Sequence, residues 1–249
     1  MPELPFGYGL FAILAITVVA GYLVFAITGF GAPIVMVPVM SHFLPLPFVL
    51  PLAVLLDVGS SLIMGLRFQR NADWRELKLM VPFSLAGAIL GVTLLVSLPR
   101  QAAVSALGVC AIAYGVYSLS RRGHARHVSR VWAPVSGFTG GAMGTLFGIG
   151  APPYAIYLSA RIEEKAAIRA TLSTMVLFST AIRLTVFTFA GLVLLDRLAA
   201  FTLLLPFVLA GLWIGHHVHL RMSSEKVLAA ISVLLIVSGG SLLVRALYA

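Results

Sequence analysis

Charge is what this chain has least of. Only 10% of its 249 residues are Asp, Glu, Lys or Arg, where a soluble domain carries about a quarter. That scarcity, with 60% hydrophobic residues, excludes an ordinary water-soluble domain and points to an integral membrane protein. Acids are scarcer still, 8 Asp+Glu against 17 Lys+Arg. The basic excess is not a nucleic-acid footprint, because it falls in short clusters between apolar runs and reads as topology signals and headgroup contacts. The single cysteine, Cys110, lies inside an apolar run, which excludes an intrachain disulfide and a cysteine-based metal site. No Gly-x4-Gly-Lys-Ser/Thr motif occurs, so no ATP-binding machinery is visible, and no cofactor is expected. Residues 1–6 lack a basic leader and the first apolar run lacks a cleavage site, so that run reads as a retained span.

What the chain does have is apolar segments, at 8–28, 32–43, 47–66, 77–97, 101–119, 131–147, 151–160, 168–190, 198–218 and 227–247. The predicted fold class is all-α and integral to the membrane. A full span needs about 20 residues. Most segments qualify, but 32–43 and 151–160 are too short and read as returning arms of helical hairpins.

Both short segments directly follow the same kind of break: Gly29-Phe-Gly-Ala-Pro33 and Gly148-Ile-Gly-Ala-Pro152. Glycine allows close approach and unusual backbone angles, and proline removes a donor and ends a helix. In a bilayer the freed backbone groups must be satisfied by protein or a water-lined cavity. Paired broken helices in two halves of a membrane protein point to a transport site; the competing reading is a pair of packing kinks. Gly29, Gly31, Pro33, Gly148, Gly150 and Pro152 are therefore candidate substrate-site residues.

The halves are also related elsewhere. Residues 79–91 (LMVPFSLAGAILG) align with 203–215 (LLLPFVLAGLWIG) with 7 identities in 13, Ala106 falls on Ala230, and Gly115 on Gly239. The predicted organisation is a first membrane repeat at 1–119, a basic cytoplasmic linker at 120–130 and a second repeat at 131–249. Each repeat holds one broken hairpin and three transmembrane helices.

Charge orients the repeats. Basic residues cluster at Arg67–Lys78, Arg121–Arg130, Arg161–Arg169 and Arg221–Lys226, and positive loops stay in the cytoplasm. All four are cytoplasmic only if each hairpin enters and leaves on one side. Five segments per half is odd, so the halves insert in opposite directions and both termini fall outside. Such an inverted repeat brings the two break tips toward each other from opposite faces.

The glycine break followed by Val37-Pro38, its second copy, and the loop Gln69-Arg-Asn-Ala-Asp-Trp-Arg75 ahead of a Pro/Gly-containing helix resemble the TauE/SafE sulfite-exporter family, also called TSUP. The resemblance covers nearly the whole chain. It implies a multi-pass carrier of the bacterial inner membrane for sulfite, sulfonates or related small organic anions. The family's break is often a run of glycines, whereas Ala32-Pro33 and Ala151-Pro152 stand here.

Two ionisable residues lie deep in apolar runs. Arg183 sits inside 168–190, where an arginine costs roughly 2.5–3.5 kcal/mol at a helix centre and so faces the interior. Its planar fork suits an oxyanion; the alternative is a structural partner for an acid or carbonyl. Asp57, midway along 47–66, is the natural partner of Arg183 or a proton-carrying coupling site. Ser60 and Ser179 are repeat counterparts, each one turn from a charged residue, and are candidate anion ligands against the commoner role of back-bonding to their own helix. Helix N-termini following Pro33 and Pro152 add donors and a favourable dipole for an anion. His216, His217 and His219 suit a metal or a pH-sensitive patch, but no carboxylate within the span completes a site, and they read as headgroup contacts.

The function expected is secondary transport, as an exporter, of a small organic or sulfur-containing anion such as sulfite, a sulfonate or a carboxylate, by alternating access around the paired breaks. The expected partners are that anion, the lipid bilayer and protons as the coupling ion, with no nucleic acid. The rival readings are a membrane-embedded enzyme using the histidine cluster, an anion channel and a scaffold subunit. The enzyme reading leaves the duplicated break unexplained, and the scaffold reading leaves Asp57 and Arg183 unexplained.

Overall fold

A computed structural model describes residues 7–28, 31–120, 128–219 and 224–248, and among these described residues there are ten helices and no strand. They are α1 (Tyr8–Thr28), α2 (Ala32–Met40), α3 (Leu46–Phe68), α4 (Trp74–Ser97), α5 (Arg100–Ser120), α6 (Trp132–Phe147), α7 (Ala151–Arg161), α8 (Lys165–Phe189), α9 (Leu195–His219) and α10 (Ser224–Tyr248). Each apolar segment of the sequence is one helix. A 3-10 turn, Gln69–Asn71, links α3 to α4. Large apolar side chains stand outward on these helices, among them Ile89, Val96, Leu209, Trp213 and Val237. A helix whose outer face is apolar meets lipid rather than water. The protein is an all-α integral membrane protein.

Seven helices among the described residues, α1, α3, α4, α5, α8, α9 and α10, are long and apolar enough to cross a membrane. The 9 residues of α2 and 11 of α7 rise only about 14 and 16 Å at the α-helical pitch, well short of a ~30 Å hydrocarbon core. The run 131–147, which the sequence counts among the full spans, falls short as well, with 16 helical residues. Its length is cut at both ends. Arg130, just before it, is drawn into an ion pair with Glu76, and Gly148 ends it in the left-handed conformation, φ 74°.

The helices form two compact units, each drawing on both halves of the chain. The first comprises Met1–Leu56, Leu98–Arg121 and Leu192–Ala249, and the second Asp57–Ser97 and Arg122–Gly191.

In the first unit α1 packs on α9 and α2, while α10 packs on α5 and α2. Missing side chains make the approach possible. A methyl on Gly211 would lie 2.7 Å from Val19 O, and one on Gly215 2.8 Å from Leu23 O, so α1 and α9 run parallel in steps of four. Gly108 faces the carbonyl of Gly239, and Gly115 the carbonyl of Ser232. One index rises as the other falls, so α5 and α10 are antiparallel.

In the second unit α4 packs on α6 and α8, and α7 lies between α6 and α8. Methyls on Gly137 and Gly141 would meet Met80 O and Ser84 O at 2.4 and 2.1 Å, and one on Gly87 would meet Phe138 O at 2.0 Å. The pair α4 and α6 is therefore parallel, at backbone contact over two turns.

Candidate functional site

The second break is a built structure within the second unit. Gly148 N–H donates to Gly144 O at 3.0 Å and Ile149 N–H to Met143 O at 3.2 Å, closing the end of α6. The positive φ explains the glycine at 148, since a Cβ is penalised there. Gly150 lies against the Gly140 carbonyl and the Gly144 Cα, leaving no room for a side chain. Pro152 then falls in the first turn of α7, where its missing N–H is not needed.

Arg183 meets this break from α8. It is buried, 6% exposed. Its Nη1 donates to Gly144 O at 3.4 Å and its Nη2 to Thr180 Oγ1 at 3.3 Å. Asp57 Oδ2 lies 3.8 Å from Nη2, with Asp57 itself 4% exposed. The guanidinium thus spans the last turn of α6 and the carboxylate of α3. The carbonyl it touches is the one already holding Gly148, so the cation is tied directly to the helix break.

A hydroxyl chain runs beside it. Tyr154, on α7 just past the break, is 1% exposed, with its ring over Gly140. Its hydroxyl donates to Ser179 Oγ at 3.4 Å and lies 2.8 Å from Ser84 Oγ. Three helices, α4, α7 and α8, are joined by this chain one turn from Arg183.

The other end of α7 is anchored by a buried acid. Glu76, 1% exposed in the first turn of α4, accepts from Arg130 Nε at 2.9 Å, Arg161 Nε at 3.3 Å and the Tyr157 hydroxyl at 2.5 Å. Asp73 caps the same helix, accepting from Arg75 N–H at 2.9 Å, and its own N–H donates to Thr171 Oγ1 at 2.8 Å. The Glu76 hydrogen bond, and then its charge, hold the Arg130 guanidinium above its ordinary pKa. Burying a carboxylate is expensive unless its oxygens are saturated with donors. Three donors from the start of α6 and the end of α7 do that here, and pin both arms of the hairpin to α4.

A family model described as Sulfite exporter TauE/SafE matches residues 13–242. The chain belongs to the TauE/SafE family. It is 28% identical over 196 residues to a Comamonas testosteroni protein named Probable inner membrane transporter protein TsaS, covering 77% of this chain and 81% of that one. No solved structure matches the chain.

In this TauE/SafE chain the residues expected at the site divide into three groups. Arg183, Asp57, Gly148, Gly150 and Pro152 come together at the second break, and Ser179 joins them through Tyr154. Ser60 does not join them by its hydroxyl, which donates to Asp57 O at 3.1 Å on its own helix. Gly31, with φ 98°, and Pro33 open α2 in the first unit, and Gly29 lies outside the described residues. Of the histidines, His217 bonds its Nδ1 to Trp213 O at 2.8 Å on its own helix and, like His216, is exposed. The His219 side chain lies outside the described residues.

Sequence reasoning passed over Glu76, Tyr154 and Tyr157. Glu76 sits between Arg75 and Lys78 near a helix start, a pattern that reads as a solvated first turn. The available signal was the break itself, since Tyr154 and Tyr157 are polar groups spaced along the short arm that follows it.

Proposed function

We propose that this chain is a secondary transporter, working as an exporter in the bacterial inner membrane, for a small organic or sulfur-containing anion such as sulfite, a sulfonate or a carboxylate. The observation that carries the reading is Arg183, a guanidinium buried at a duplicated helix break. Charges at membrane depth are retained for function far more often than for packing. Family membership and the TsaS relative, named as an inner membrane transporter, point the same way.

Substrate contact falls to Arg183, to Ser179 and the break residues Gly148, Gly150 and Pro152, with Gly29, Gly31, Pro33 and Ser60 as their repeat counterparts. Asp57 is the counter-ion that holds Arg183 between substrates, and it accepts the coupling proton when the anion replaces it. Exchange of one partner for another at a single guanidinium links anion occupancy to the Asp57 charge.

The inverted repeat, 1–119 against 131–249 with a cytoplasmic linker at 120–130, is supported by how the helices pair. The repeat register carries Gly87 and Gly91 of α4 onto Gly211 and Gly215 of α9. Those are the residues at which α4 meets α6 and α9 meets α1. It also carries the Gly108–Gly239 contact onto Ser232–Gly115, across an antiparallel pair. The exchange of contacts between α5 and α10, an antiparallel pair within the first unit, is what opposite insertion of the halves requires. Both termini then lie outside, and alternating access proceeds by rearrangement of the two halves.

The test is flux in liposomes containing purified protein, with sulfite, taurine and acetate each offered against a proton gradient. Gradient-coupled movement of at least one anion that is abolished in Arg183→Ala, with the variant still folded by thermal melting, supports the carrier. Undiminished flux in Arg183→Ala removes Arg183 from the substrate path.

A further inference from the structure

The first unit carries a second basic site, well away from Asp57 and Arg183 in the chain. A cavity of about 260 Å³ lies where α2 ends, α5 begins and α10 ends, lined by Ser41, Arg100, Gln101, Val104, Arg245 and Ala246. Two of the six lining residues are arginines and none is an acid. Pockets for drug-sized ligands run from about 300 Å³ upward, so this one suits a small ion or a single headgroup.

Its polar groups are arranged so that donors outnumber acceptors. Arg100 opens α5, whose positive dipole end faces the same space. Among the described residues Arg100 makes no hydrogen bond or ion pair, and all five of its donors remain available. Arg245 bonds to the His42 carbonyl through Nη1 alone, leaving its other N–H groups. Two backbone carbonyls beside the cavity are already taken: Gln101 Nε2 donates to the Ala246 carbonyl at the closing end of α10, and the Ser41 hydroxyl donates to Val37 O at 2.6 Å. His42 and Ser241 are paired with each other at 3.0 Å.

Two guanidiniums lining one small cavity repel, and an anion between them relieves that repulsion. A packing role explains one of them, since Arg245 in the last turn of α10 compensates that helix's negative end. It does not explain Arg100, a cation at the positive end of its own helix, where the dipole disfavours it. The orientation proposed above, on which only this point rests, puts the cavity on the outer face, where the positive-inside rule gives no reason for arginines.

We propose that this cavity is an oxyanion site, in which Arg100 and Arg245 clamp a small oxyanion through bidentate charge-assisted hydrogen bonds. The oxyanion is either a free inorganic or sulfonate anion or the phosphate of an anionic lipid headgroup. The two sources share the recognition chemistry and separate by experiment.

The experiment uses full-length purified protein carrying Arg183→Ala, so that the first site does not report. Sulfate binding is measured by calorimetry against chloride at matched ionic strength, and lipid retention by native mass spectrometry with phosphatidylglycerol against phosphatidylcholine. Arg100→Gln and Arg245→Gln are added singly and together, with Arg100→Lys/Arg245→Lys as the charge-retaining control. A free-anion site predicts sulfate binding that weakens about tenfold with each neutralisation and survives the lysine pair within tenfold. A headgroup site predicts selective retention of phosphatidylglycerol that the double glutamine variant loses. If neither sulfate nor phosphatidylglycerol distinguishes the parent from the double variant, the proposal is wrong. Should the double variant not fold, Arg100→Gln alone decides, because Arg100 makes no hydrogen bond or ion pair among the described residues; unchanged affinity for both probes overturns the site. Flux of otherwise wild-type protein carrying Arg183→Ala is read separately, so failure of the transport reading is not confused with failure here.

Discussion

Asp57 Oδ2 stands 3.8 Å from Arg183 Nη2, with both side chains buried on α3 and α8, helices that the proposed repeat makes counterparts. The two residues do not occupy equivalent positions. In the repeat register Asp57 falls on Val176, two turns before Arg183, so they share a helix face without sharing a position. The repeat proposed above would thus place opposite charges on matching faces of matching helices.

The first prediction concerns that pair. Arg183→Ala leaves a buried carboxylate without its cation and should cost roughly 3 kcal/mol of stability, while Asp57→Asn/Arg183→Gln together should cost less than either alone. Chemical denaturation in detergent measures the coupling. Additive losses would show that the two groups do not interact energetically.

Glu76 supports a second. Glu76→Gln keeps the shape but removes the charge from three donors, so the melting temperature should fall, with a loss of about 2 kcal/mol. Tyr157→Phe should cost less, because the carboxylate keeps both arginines. The same variants should loosen the hairpin locally, read as faster hydrogen exchange over 151–161 than over α4. Uniform exchange would mean that Glu76 does not pin the hairpin.

The glycines give a sharp contrast. At Gly141 a methyl would lie 2.1 Å from the Ser84 carbonyl, whereas at Gly59 nothing lies within 4 Å. Gly141→Ala must push two backbones apart and should cost about 1–3 kcal/mol or more. Gly59→Ala should be neutral or stabilise by up to about 1 kcal/mol through helix propensity. Thermal melting of the two single variants checks both signs.

Gly148→Ala forces a Cβ onto a residue at φ 74°. It should cost roughly 1–2 kcal/mol and, because Gly144 O is shared between Gly148 and Arg183, should reduce anion flux more than stability. Flux unchanged at equal protein load would separate the break from transport.

Helix number, approximate ends, the two breaks and the two charges deep in apolar runs, Asp57 and Arg183, were legible from the residues alone. The reason is that a bilayer imposes a length and an apolar composition that can be counted. Arg183 and Asp57 stood out because they lie deep in apolar runs, far from either end. Glu76 was not legible, because an acid among Arg75 and Lys78 looks solvated until Arg130 and Arg161, 54 and 85 residues away, close over it.

The sequence by itself therefore determined the class of protein, its ten apolar segments and the two charges that membrane burial makes most costly, Asp57 and Arg183. Only the tertiary structure decided which of those residues meet. It joined Arg183 to Asp57 and to the Gly144 carbonyl, turned Ser60 back onto its own helix, and drew Arg100 and Arg245 to one cavity. Hydropathy is a property of each segment and is summed along it. Partnership between buried polar groups depends on distances of a few ångströms between segments far apart in the chain, which are set by how closely the glycine faces let the helices pack.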